Sequence, residues 1–221
     1  MALQLYYHPF SSYCHKALVA FHENDIAFEG HVIEGPDSAA YRELAARWPI
    51  KRFPMLVDGE RQVMEATCIV EYLQTSHPGP VRLIPADARA ALEVRFLDRF
   101  FDNYISTPVQ KIVFNALRPD PSVRDPYGVD EAHAMLDDAY GWLEQHMRGR
   151  QWACGDAPTL ADCGAAPFLF YAHWVHPIQE ERHPNIRAYR QRLLQWPSYA
   201  RCVELARPYR GFFPLPIPAD D

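Results

Sequence analysis

No apolar run in the sequence approaches the roughly 20 residues that cross a bilayer, which excludes a membrane-spanning helix. Basic charge is in deficit: 22 Lys and Arg face 28 Asp and Glu, a formal net charge of −6. A nucleic-acid-binding surface is therefore not expected. The opening MALQLYYHPF has neither a basic n-region nor an apolar h-region, so no signal peptide is expected either. The five cysteines (Cys14, Cys68, Cys154, Cys163, Cys202) are odd in number and lack CxxC or zinc-type spacing. They read as small buried hydrophobes in a reducing, cytoplasmic setting, and no metal is expected. Internal repeats and low-complexity stretches are also missing. What remains is a chain of 221 residues, 48% of them apolar, enough for one large domain or two small ones with a real core.

The stretch RFPMLVDGERQVMEATCIVEY (52–72) reads as a hairpin followed by a helix. Strands at 55–57 and 61–64 flank a turn expected at Asp58-Gly59, because Asp-Gly between apolar runs is a strong hairpin signal. Pro54 stands where the first of these strands begins, a place where proline is tolerated. Glu65-Ala66-Thr67 opens the helix, whose first backbone N–H groups lack internal partners and attract an anion. A strand edge and a helix N-terminus facing one region make a layout suited to an extended peptide.

Before this stretch, 3–7 reads as a strand, Ser11 and Ser12 as helix caps, and Tyr13, Ala17, Ala20 and Phe21 as one helix face. A strand at 27–33 and a helix at 39–47 follow, the latter closed by Trp48-Pro49. The order βαβ, α, ββα resembles the thioredoxin-like fold, with its first two strands parallel through a right-handed crossover. After Tyr72 the pattern changes. His77-Pro78-Gly79-Pro80 has linker composition, and from Ala88 onward only helices are expected. Phe96, Leu97, Phe100, Phe101, Tyr104 and Ile105 form an apolar stripe. Arg95–Asp98 and Arg99–Asp102 are expected as i,i+3 surface pairs. Residues 118–128 break the helical run, and an amphipathic helix covers 132–147. Thr159 and Asp162 form a capping box ahead of a helix at 163–174 that is apolar all round and therefore buried. Helices at 185–195 and 198–206 precede a proline-rich tail. The fold class is α/β plus all-α: a thioredoxin-like domain at 1–76, a linker at 77–87 and an all-helical domain at 88–221.

Four segments, in this order, resemble those of cytosolic glutathione transferases of the serine-using, bacterial-like type, related to the zeta and theta classes: PFSSYCHK (9–16), WPIKRFPML (48–56), EATCIVEYL (65–73) and PTLADCGAAP (158–167). The tail RPYRGFFPLP (207–216) resembles bacterial relatives more loosely. The resemblance implies that the first domain binds glutathione and the helical domain supplies a second-substrate pocket. It implies a cis Pro54, with the Phe53 backbone pairing the cysteinyl part of glutathione like an added strand. It implies Glu65 on the α-amino group and helix N-terminal N–H groups on the γ-glutamyl carboxylate. The family usually has serine after this glutamate; here Ala66 replaces it, and Thr67 is the candidate substitute hydroxyl.

Glutathione transfer requires a thiolate near pH 7, whereas a free thiol has a pKa of about 8.5. Lowering it by two units takes about 2.7 kcal/mol, and a hydroxyl at a helix N-terminus supplies much of that. Ser11 is the first candidate and Ser12 the second; either serine is alternatively only a cap. Tyr6 and Tyr7 compete, because some classes of the family use a tyrosine here. Cys14 reads as a core cysteine, the alternative being the disulfide-exchange chemistry of cysteine-using classes. Phe100 and Tyr104 are candidates for the second-substrate pocket, Arg82 and His15 for the glycyl carboxylate. His173 and His176 at i,i+3 read as helix-end or pocket residues rather than metal ligands.

The expected protein is thus a cytoplasmic, homodimeric detoxifying transferase, with glutathione as co-substrate and a small apolar electrophile as partner. The dimer axis is expected along the helices that begin near Thr67 and Ala88. The alternatives are a glutathione-dependent isomerase of the maleylacetoacetate type and a non-catalytic relative that only binds.

Overall fold

In the computed structural model, which describes residues 2–218, four strands and three helices come first. They are β1 (Leu3–Tyr7), α1 (Ser12–Glu23), β2 (Phe28–Val32), α2 (Ala39–Arg47), β3 (Met55–Asp58), β4 (Arg61–Met64) and α3 (Ala66–Ser76). The sheet order is β2-β1-β3-β4, with β1 parallel to β2 and antiparallel to β3, and β3 antiparallel to β4. Strand alternation explains the layering. Leu3, Leu5 and Tyr7 turn toward α1 and α3, where Leu18, Phe21 and Ile69 are buried. Tyr6 turns the other way, to Ile33, Leu44 and Met55 beneath α2. The Tyr6 hydroxyl donates to Glu43 Oε2 at 2.7 Å.

The hairpin turn is Gly59-Glu60, not Asp58-Gly59, because Asp58 still pairs with Arg61 in the ladder. Gly59 has φ +58, and glycine with positive φ at the first loop position is the II′ pattern that fits strand twist.

Residues 77–87 carry no helix or strand, and then come α4 (Ala88–Phe100), a π-helical segment (Phe101–Ser106), α5 (Thr107–Ala116), α6 (Pro126–His146), α7 (Leu160–Val175), α8 (Pro184–Gln195) and α9 (Pro197–Ala206). The expected helical domain ran to 221, and its last three residues lie outside the described ones. The break after α5 is also shorter than expected. Pro126 occupies the first turn of α6, where its missing N–H costs nothing, and Asp125 caps it by accepting the Gly128 N–H at 2.8 Å.

α7 is the centre of the helical half. Residues 160–174 are buried throughout, and the capping box forms: Asp162 accepts the Thr159 N–H at 2.8 Å and also the Ala153 N–H and the Tyr189 hydroxyl. One continuous core runs from β1 through α1 into α4 and α7.

Of the two pairs expected on α4, Arg99–Asp102 forms, though with the carboxylate buried, and Arg95–Asp98 does not. Arg95 instead reaches Glu71 on α3 at 2.9 Å. Asp98 and Asp102 are buried, and Lys16 of α1, itself fully buried, lies 2.6 Å from the first and 2.8 Å from the second. Arg99 and the Thr67 hydroxyl close the group, Thr67 donating to Asp98 at 2.8 Å. Helical spacing alone placed these carboxylates on the outer face; the docking of α1 against α4 turns that face inward.

Candidate active site

A cleft of about 740 Å³ opens between the sheet half and α5. Its floor combines three backbone features. The first is the N-terminus of α1: the turn from His8 to Ser11 closes with the Ser11 N–H on the His8 carbonyl at 3.0 Å. Ser11 then caps α1, its hydroxyl accepting the Cys14 N–H at 3.4 Å, and Ser12 is the first helical residue. A cap uses one acceptor lone pair of the oxygen and leaves its O–H free to donate. The second is the cis Phe53-Pro54 bond, just ahead of the ladder, whose β1–β3 pairing begins at Met55. The third is Glu65, with φ +69, a left-handed conformation that costs a non-glycine residue of order 1–3 kcal/mol. It turns the chain from β4 into α3, so that Ala66 begins the helix with its first N–H groups unpaired by the helix itself. Lys51, also at positive φ, and Arg52 bring cationic side chains to the same lining.

The opposite wall is apolar with a few polar points. Val113 and Phe114 of α5, Tyr171 of α7, and Phe10 and Phe213 supply rings and methyls, and Gln110 and Tyr13 the polar atoms. The Tyr171 hydroxyl donates to the Phe10 carbonyl at 3.1 Å, tying the helical half to the loop before α1. Burial pushes the Tyr13 and Tyr171 hydroxyls above their ordinary pKa.

Several expected site residues lie in the cleft and others do not. Ser11, Ser12, Phe53, Pro54, Glu65 and Ala66 all line it. Thr67 does not: its hydroxyl is held by Asp98 and Arg99 on the α4 side. Tyr6 and Tyr7 do not, since one bonds Glu43 and the other packs in the core. Cys14 is fully buried, its thiol pushed up to about 12 by desolvation, which suits packing and not disulfide exchange.

Phe100 and Tyr104 miss the cleft as well. Phe100 packs on Trp142 of α6 at 4.5 Å and on Tyr104 at 5.6 Å. The π-helical segment after Phe100 explains this, because it slips the ladder by one residue and ends the simple four-residue stripe. His15 is sealed against the Pro9 carbonyl, and Arg82 bonds the Ile84 carbonyl. His173 accepts the Ile178 N–H, while His176 pairs with His133 and Asp137. Sequence reasoning missed Tyr13, Gln110, Phe114, Tyr171 and Phe213 as lining. Lys51, Arg52 and Phe213 lay inside quoted segments, but nothing in those segments said which side chains face inward.

Two family descriptions match the chain: "Glutathione S-transferase, N-terminal domain" over residues 5–81 and "Glutathione S-transferase, C-terminal domain" over residues 126–192. Among individual proteins, the dichloromethane dehalogenase of Methylorubrum extorquens is 28% identical over 88% of this chain and 72% of its own length. The probable maleylacetoacetate isomerase of Vibrio cholerae is 23% identical over 94% of this chain and 98% of its own length. A glutathione S-transferase of Methylobacterium radiotolerans, solved in complex with glutathione sulfonate, superposes with a TM-score of 0.79 at 26% identity, covering 92% of this chain and 95% of that one.

Proposed function

This chain belongs to the glutathione S-transferase family, and we propose that it binds glutathione in the cleft and activates its thiol for attack on a small apolar electrophile. The observation that carries the reading is the convergence of the cis Phe53-Pro54 bond, the strained Glu65 and the serine-capped α1 N-terminus on one cleft. In this reading residues 1–76 form the glutathione-binding domain, 77–87 the linker, and the helical remainder covers the second substrate. Glutathione extends along the sheet edge, with the Phe53 backbone pairing its cysteinyl unit. Glu65 accepts from its α-amino group, the N-terminal N–H groups of α3 take the γ-glutamyl carboxylate, and Lys51 or Arg52 takes the glycyl carboxylate. Ser11 donates to the thiolate, helped by the partial positive charge of α1, with Ser12 beside it. The electrophile lies against Phe10, Phe114, Tyr171 and Phe213, and positioning the two reactants together supplies most of the rate gain.

The enzyme is a cytoplasmic, detoxifying homodimer in the same proposal. Leu92, Phe96, Tyr104 and Trp142 are large apolar residues exposed on or beside α4 and α6, and a second copy would cover them. Sedimentation of the purified chain checks this, a dimer being expected.

The test of function is conjugation of glutathione to 1-chloro-2,4-dinitrobenzene and to benzyl chloride, with Glu65→Ala as control. Turnover that the variant loses supports the reading. Failure on both, alongside isomerisation of maleylacetoacetate, would move the protein to the isomerase alternative.

A further inference from the structure

His8 lines the cleft one turn ahead of Ser11 and belongs to none of the glutathione contacts above. The His8–Ser11 β-turn holds these two residues within about 7 Å of each other at Cα. Its imidazole is held in one orientation. The Phe10 backbone N–H donates to His8 Nδ1 at 3.0 Å, and the ring packs edge-on to Tyr209 with centroids 4.8 Å apart. A backbone N–H can only donate, so Nδ1 carries no proton and the ring proton resides on Nε2. Among the described residues none accepts from that Nε2–H, the ring's hydrogen bond being at Nδ1. Burial lowers the His8 pKa as well, which keeps the ring neutral.

We propose that His8 Nε2–H is a catalytic hydrogen-bond donor to the electrophile's carbonyl oxygen, and that the enzyme prefers α,β-unsaturated carbonyl compounds. This rests on the glutathione-transferase reading of the cleft. The thiolate sulfur, having released its proton to solvent, bonds to the β-carbon. The C=C π pair moves to the α-carbon–carbonyl-carbon bond, and the carbonyl π pair moves onto oxygen, giving an enolate. His8 stabilises that oxygen without giving up its proton, and water then protonates the α-carbon. The net change is addition of S–H across the double bond. A donor fixed before the reaction needs no reorganisation as charge develops, which is the most effective use of a hydrogen bond in catalysis. Displacement of a halide from a saturated carbon puts the charge on a diffuse leaving group with no fixed oxygen for His8 to meet.

The test compares wild type, His8→Leu and His8→Gln on cinnamaldehyde and on benzyl chloride, with the pKa of bound glutathione read by thiolate absorbance. His8→Leu is expected to lose about 10- to 100-fold more in kcat/KM on cinnamaldehyde than on benzyl chloride, with the thiol pKa unchanged, and His8→Gln to recover part of the difference. Equal losses on both substrates with a raised thiol pKa would assign His8 to the thiolate and overturn the proposal. An unchanged cinnamaldehyde rate in His8→Leu would overturn it too. In either case benzyl chloride turnover by the wild type leaves the transferase reading standing; no turnover of any electrophile and no glutathione binding would sink that reading itself. Nitrogen-15 shifts of the His8 ring give an independent readout: the Nε2–H tautomer is expected, and a protonated Nδ1 at neutral pH contradicts the proposal.

Discussion

Lys16 Nζ lies 2.6 Å from Asp98 Oδ1, and neither side chain has meaningful contact with water, their exposures being 0% and 1%. The pair joins the first helix of the sheet half to the first helix of the helical half, with Asp102, Arg99 and Thr67 completing its partners. Two cations and two carboxylates balance in charge. Removing Lys16 leaves two buried carboxylates with only the half-exposed Arg99 to offset them, which costs more than the intact pair contributes.

Lys16→Met is therefore expected to destabilise the protein by about 3–5 kcal/mol. Urea denaturation followed by far-ultraviolet circular dichroism measures it. A loss below 1 kcal/mol would mean that the charges find water or neutralise one another.

Stability should fall as the solution is acidified from neutrality. His15 is fully buried, with Nε2–H donating to the Pro9 carbonyl and Nδ1 unpartnered, and burial lowers its pKa to about 4 against 6.5 for the free side chain. Between those values the unfolded chain binds the proton and the folded chain does not, so stability rises with pH across that window. The stabilisation is fully present above pH 6.5 and is lost as pH falls toward 4, by up to about 3 kcal/mol. His8, His22, His133 and His183 are lowered by burial in the same direction. Thermal melts at pH 7.5 and 5 isolate the His15 share when wild type is compared with His15→Gln, whose slope should be shallower.

Ser11 has a structural duty and a proposed chemical one, and two variants separate them. Ser11→Ala loses the cap, about 1 kcal/mol, and is expected to raise the bound thiol's pKa toward 8.5. Ser11→Asp keeps the cap by accepting the Cys14 N–H, yet a carboxylate repels a thiolate, so stability should return while activity does not. Ser12→Ala should change neither by more than a small factor.

Ala66→Ser should tighten glutathione binding. A hydroxyl at the α3 N-terminus adds one bond to the γ-glutamyl carboxylate, worth about 1.5 kcal/mol, or roughly tenfold in Kd. Thr67 is already committed to Asp98 and Arg99, so Thr67→Val should cost stability and leave Kd nearly unchanged.

The electrophile wall is expected to follow the geometry and not the aromatic stripe. Phe114→Ala should raise KM for an aromatic electrophile several-fold, and Tyr104→Ala should leave it alone in steady-state assays.

The element order was legible because its signals are local: the apolar alternation of 3–7, the Ser11 cap, the proline before β3 and the Thr159–Asp162 capping box each fix their own backbone. The floor residues of the cleft came through the family resemblance, whose motifs tie Phe53, Pro54, Glu65 and the Ser11-Ser12 helix start to fixed sequence positions. The far wall was not legible. Which face of α5 meets the cleft depends on the π-helical segment at Phe101–Ser106, and a one-residue slip leaves no mark in apolar periodicity. Asp98 and Asp102 read as surface charge for a related reason: each is ordinary on its own helix, and only the docking of a helix distant in sequence, carrying Lys16, buries them.

The cleft's proposed role is to bind glutathione as a thiolate. Calorimetric titration of glutathione at pH 7 into wild type and Glu65→Ala, with the bound thiol's pKa read by ultraviolet absorbance, tests it most directly. Saturable binding that Glu65→Ala abolishes or greatly weakens is expected, with a bound thiol pKa well below 8.5. No heat at millimolar glutathione, or binding with an unshifted thiol, would contradict it.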